Sequence, residues 1–159
     1  MKPTTLAAMA LLSAAAAASA GAGMTGISEQ VSVDTSGGKV VVKVAVDNQT
    51  GKDVYVPKAV FEDKELVGRV FEIRESGSGK EIDYIGRMVK RGPMTMDDYV
   101  ALKPGKKKSN SIDITNTYHF KPGQHTYTLS YSGSYLTDAS QVAAPMIVKV
   151  MPVTFSFRK

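Results

Sequence analysis

The chain has 159 residues, no cysteine and a formal net charge of +5, from 20 Lys and Arg against 15 Asp and Glu. This composition excludes disulfides and thiolate metal sites, so a domain-sized core must be held by packing alone. The basic excess gathers at Lys106-Lys107-Lys108 and between Arg87 and Arg91, which by itself reads as solvated surface, and no nucleic-acid motif accompanies it.

The first residues point to export. Lys2 precedes an apolar run from Leu6 to Ala18, and Ala18-Ser19-Ala20 is a small-residue cleavage site. The run is shorter than the ~20 apolar residues that a membrane span needs. Residues 1–20 are therefore expected to be a signal peptide, with the mature chain starting at Gly21 as a single domain over 21–159. Cleavage after Ala22 is the alternative. No cysteine follows the run to carry a lipid, and no later segment is apolar enough to anchor the chain stably in a membrane. The expected location is the periplasm or the medium.

From there the dominant period is two, the spacing of half-buried strands. Val40, Val42, Val44 and Val46 alternate with Lys43 and Asp47, and Asn48-Gln49-Thr50-Gly51 makes a turn. Val54 and Val56 resume the pattern until Pro57. Phe71 and Ile73 follow, then the turn Ser76-Gly77-Ser78-Gly79, then Ile82 and Tyr84. Ile112 and Ile114 come next, then Tyr127, Leu129 and Tyr131, and finally Val153, Phe155 and Phe157. One helical turn is expected near Asp97. Two turns, Leu102-Lys103-Pro104-Gly105 and Phe120-Lys121-Pro122-Gly123, have the proline-then-glycine order of a type II turn. Short strands at this spacing predict an all-β chain, an immunoglobulin-like antiparallel β-sandwich of seven to eight strands.

Two stretches break the alternation, Gly86 to Asp98 and Ser132 to Pro145. Loops of that length usually carry function. Catalytic patterns are absent from the sequence. Neither His119 nor His125 belongs to an H-E-x-x-H motif, no G-x-S-x-G elbow exists, and no glycine-rich phosphate loop opens a helix. His125 shares the register of Tyr127 and Leu129, as a histidine at the edge of the core does. The expectation is a protein that is not an enzyme and uses no cofactor. An alternative is a periplasmic copper carrier, in which thioethers and imidazoles of Met94, Met96, His119 and His125 bind Cu(I), with Met88 as a further ligand. A general extracytoplasmic adhesion or assembly module is a third reading.

Several pieces of the chain resemble a known family. They are Asp47-Asn48-Gln49-Thr50, Gly79-Lys80-Glu81-Ile82, the run from Tyr84 to Pro93 (YIGRMVKRGP), Asp97-Asp98-Tyr99-Val100 leading into Leu102-Lys103-Pro104-Gly105, and the strand Tyr127 to Tyr131. Together they resemble the N-terminal pro-region of bacterial deuterolysin and peptidyl-lysine metalloendopeptidases, the aspzincins. A weaker resemblance is to immunoglobulin-like bacterial proteinase inhibitors. In the resembled peptidases a catalytic domain follows the pro-region, whereas this sequence stops at Lys159; the signal peptide and strand count favour a stand-alone relative, and a catalytic domain absent from this sequence is the alternative. The resemblance implies an inhibitor or folding partner of an exported metallopeptidase. It also places the contact in the Gly86–Asp98 loop. Lys90 and Arg91 would enter an acidic pocket, because the resembled peptidases favour lysine near the cleaved bond. Arg87, Met88, Pro93 and Met94 would supply the surrounding contact.

Overall fold

The computed structural model describes residues 26–159 together with the backbone of Ala16–Ala17. The expected signal peptide at 1–20 and its cleavage site otherwise lie outside the described residues. The strands are β1 (Ala16–Ala17), β2 (Ile27–Asp34), β3 (Val41–Asn48), β4 (Val54–Pro57), β5 (Glu72–Glu75), β6 (Tyr99–Leu102), β7 (Lys107–Asp113), β8 (Gln124–Ser130), β9 (Ser132–Tyr135), β10 (Met146–Lys149) and β11 (Val153–Arg158). A single turn of helix, α1 (Lys58–Phe61), follows β4, and a 3₁₀ turn at Met96–Asp98 precedes β6.

The expected all-β sandwich is what forms. One sheet has the order β1-β2-β3-β7 and the other β11-β8-β5, every pair antiparallel. Two smaller pairs, β10-β9 and β4-β6, extend the framework and are joined by a bridge between Tyr55 and Leu136. The valine strand behaves as its alternation requires, since Val40, Val42, Val44 and Val46 are all buried in the core. Across from them Phe71, Ile73, Tyr127, Leu129, Phe155 and Phe157 close the second layer. Phe120 sits in the middle of the aromatic group, with its ring 5.1 Å from that of Tyr127 and 5.3 Å from that of Phe157.

Two tyrosines lock the connections. The Tyr127 hydroxyl, near the start of β8, accepts a hydrogen bond from Lys121 N–H at 3.0 Å, six residues upstream. This is the tyrosine corner of immunoglobulin-like sandwiches. The Tyr118 hydroxyl donates to the Phe71 carbonyl at 2.6 Å and accepts from the Phe71 N–H at 3.1 Å. Both glycines of the Lys-Pro-Gly turns take positive φ, 71° at Gly105 and 87° at Gly123, as expected of such turns.

Three expectations need correction. The strand count exceeds seven to eight, because β2 and β6 are strands that the alternation did not give and because two long strands are each broken in the middle. Pairs in β8–β11 run from Val153↔Leu129 to Arg158↔Gln124, whereas in β9–β10 Met146 faces Tyr135, a register offset by one residue. That slip is a bulge, and it bends the hairpin around Tyr131 and Pro152, which has no N–H to offer the ladder. Second, Ser132–Pro145 is not one loop. Its first four residues pair as β9, leaving 136–145 as the connection. Third, β2 is a full strand that the alternation did not reveal, because Glu29 stands where an apolar residue belongs.

Candidate functional site

The loop from Gly86 to Asp98 starts from a rigid base. Tyr84 bridges Tyr118, their rings meet edge-on at 5.3 Å, and Ile85 N–H donates to the Thr117 carbonyl at 2.8 Å. The Tyr84 hydroxyl donates to the Arg87 carbonyl at 2.8 Å and accepts from Gly68 N–H at 3.1 Å, so the loop's first turn is tied to the 66–68 segment. Gly86 passes directly against the Tyr84 ring and the Thr117 methyl, where no side chain fits. At the far end Thr95 and Asp98 form a reciprocal cap on the 3₁₀ turn, with Thr95 N–H donating to Asp98 Oδ2 at 2.8 Å. The other oxygen, Oδ1, lies 3.8 Å from Arg91 Nη1.

Between these anchors the chain is exposed. Arg87, Met88, Lys90, Arg91, Pro93 and Met94, the residues singled out in the sequence, all lie in this one exposed segment. Met88 is 73% exposed, and Ile85, Val89 and Met94 join it as large apolar side chains in water. Ile85 and Val89 lie in the YIGRMVKRGP run but were not singled out as contact residues. Arg87 and Lys90 have no carboxylate partner among the described residues, and Arg87 lines a cleft of about 240 Å³ with Glu65, Leu66, Asp113, Asn116 and Thr117. The segment therefore presents apolar surface edged by cations on a base fixed by hydrogen bonds.

The copper ligand set takes a different shape. His125 Nδ1 faces Glu75 Oε1 at 2.9 Å and Nε2 faces the Pro122 carbonyl at 2.9 Å, so both ring nitrogens already have oxygen partners. Lys121 and Ser78 also bond the Glu75 carboxylate, and these contacts, Lys121 foremost, hold it down at about 2. His119 is exposed, and Met94 and Met96 lie on the loop and its terminal turn. Among the described residues no three His, Asp or Glu side chains converge at metal-ligand spacing.

Reading the residues in order missed Glu29. It is fully buried on the core face of β2, opposite Val46 of β3 and flanked by Ile27 and Val31. Among the described residues neither carboxyl oxygen has a hydrogen-bond partner. Gly133 of β9 lies directly against the carboxyl, and a Cβ there would fall on it. Burial raises the Glu29 carboxyl to about 7, while the adjacent Tyr131 hydroxyl, itself pushed far up by burial, pulls it the other way. The available signal was the frame Ile27-x-Glu29-x-Val31-x-Val33, a strand with one acid in its apolar row.

No protein-family model matches the chain, and no characterised protein matches it in sequence. Among the described residues no helix is long and apolar enough to cross a membrane.

Proposed function

We propose that this chain is an exported, non-enzymatic binding protein that acts on an exported metallopeptidase as an inhibitor or folding partner. The observation that carries the reading is the 86–98 loop. It sets Met88, Val89 and Met94 beside Arg87, Lys90 and Arg91 on a base pinned by Tyr84, Gly86 and Asp98. A loop held in place before binding loses less conformational freedom when it docks. Exposed apolar side chains exclude water at such a contact, and a cation entering an acidic pocket gives it direction. The resemblance of the Tyr84–Pro93 run to aspzincin pro-regions names the class of partner.

The test compares two variants against an aspzincin peptidase, Lys90→Ala/Arg91→Ala and Lys106→Ala/Lys107→Ala/Lys108→Ala, by affinity and by residual proteolysis. If Lys90 or Arg91 fills an acidic pocket, its removal weakens binding by roughly 30- to 5000-fold, the cost of leaving a buried carboxylate unpaired. The triple lysine variant changes affinity by less than about fivefold, as exposed charges do. Equal small effects from both variants retire the loop. No binding of the unmutated chain to any such peptidase retires the function.

A further inference from the structure

We propose that Glu29 is a proton-operated latch on the singly paired first half of β2, closed while its carboxyl is protonated and released when the proton leaves. The inference is independent of the binding function and concerns the opposite kind of site, a buried one.

The geometry is specific. Glu29 occupies the core row of β2 with no exposed surface and no partner for either oxygen. The space for it exists only because residue 133 is glycine. Among the described residues, the groups that face it from the neighbouring elements supply no cation; β11, packed against β2, turns Val153, Phe155 and Phe157 inward and leaves Arg158 exposed. From β3 the cross-strand neighbour is Val46, with Val44 next in the row. From the β9–β10 pair come Gly133 and the buried Val148 opposite it. Tyr131, at the bend of the hairpin, is the only titratable side chain that acts on the carboxyl. Lys149 of β10 is exposed.

A protonated carboxyl is tolerable in such a place, whereas an ionised one without a counter-charge is not. Ionisation must therefore bring the group to water. The element that yields is β2, because residues 27–31 have β3 as their only sheet neighbour among the described residues and β1 borders β2 only at Ser32 and Val33. Segments paired on one side only are weakly supported and can open without global unfolding. Lifting Ile27–Val31 also uncovers the β3 edge, the kind of surface an added strand pairs with.

The experiment follows backbone amide exchange in the purified chain, corrected for intrinsic rates, from pH 5 to pH 8. The latch requires the β2 amides of 27–31 to exchange faster by up to about tenfold per pH unit between roughly pH 5 and 7, then level off, while the β8 and β11 amides keep their protection. In Glu29→Gln the β2 amides lose this pH dependence. The same pH response in the wild type and in Glu29→Gln overturns the proposal. A ¹³C titration of the Glu29 carboxyl in the wild-type chain decides independently of how the variant folds. A midpoint above about 6 supports the latch, and one in the ordinary carboxylate range refutes it.

Discussion

Two paired strands of one sheet bury polar side chains in opposite ways. At the end of β3, opposite Ile27 of β2, Asn48 is fully buried and completely satisfied. Its amide donates to the Leu102 carbonyl at 2.8 Å and the Lys52 carbonyl at 2.9 Å, and its oxygen accepts from Thr50 N–H and the Thr50 hydroxyl at 3.0 and 2.6 Å. Asn110 of β7 is similar, donating to the Val60 and Asp63 carbonyls and accepting from Lys64 Nζ. Asn48 ties the end of β6 and the 50–52 turn to the sheet, and Asn110 ties α1 and the residues after it. On β2, Glu29 is just as buried, and neither of its oxygens has a hydrogen-bond partner among the described residues. The first arrangement is structural glue, since the carbonyls it satisfies would otherwise be orphaned. The second stabilises no neighbour and is tolerated only as a neutral acid.

The largest effect expected from breaking this comparison is at Asn48. Asn48→Ala removes four hydrogen bonds and leaves the buried Leu102 carbonyl without this donor, so chemical denaturation should show a loss of about 3–5 kcal/mol. A loss below about 1 kcal/mol would mean that water replaces the amide and that the two polar side chains are alike.

Glu29 comes next, and its effect depends on pH. Its folded value of about 7 lies above the ordinary 4.5 of the unfolded chain, so the folded state binds the extra proton. Stability is therefore undiminished below about pH 4.5, falls as pH rises toward 7, and stays reduced above that, by about 3 kcal/mol in all. Denaturation midpoints of the wild type should fall relative to those of Glu29→Gln across this window and run parallel on either side of it. Parallel curves throughout would place the carboxyl in water.

The smallest effect belongs to the exposed loop. Arg91 and Asp98 are partly solvated at 3.8 Å, so Lys90→Ala/Arg91→Ala should change stability by no more than about 1 kcal/mol. A thermal scan at pH 7 checks this. A larger loss would make the loop part of the core's support, and any effect on partner binding would then be indirect.

Alternation was legible wherever every inward residue is apolar, as at Val40–Val46, Tyr127–Tyr131 and Val153–Phe157, because a period of two needs no knowledge of neighbours. The exposed 86–98 segment was legible for the converse reason, since nothing in it repeats. Ser132–Tyr135 was hidden because glycine and serine have little strand preference of their own, and they pair only because β10 arrives alongside. The anchoring of the loop was hidden too, because Tyr84 reaches Gly68 and Tyr118 across 16 and 34 positions of chain.

By itself, then, the sequence determined that this chain packs as an antiparallel sandwich without covalent staples, because its apolar rows have the strand period and it has no thiols. Only the tertiary structure decided what its polar interruptions mean. Asn48 reads as a turn residue and proves to be a core bond-maker, while Glu29, which no sequence pattern singled out, proves to be a buried acid. The reason is physical: local periodicity says which face a residue takes, whereas the partners and the dielectric that set its chemistry come from strands distant in the chain.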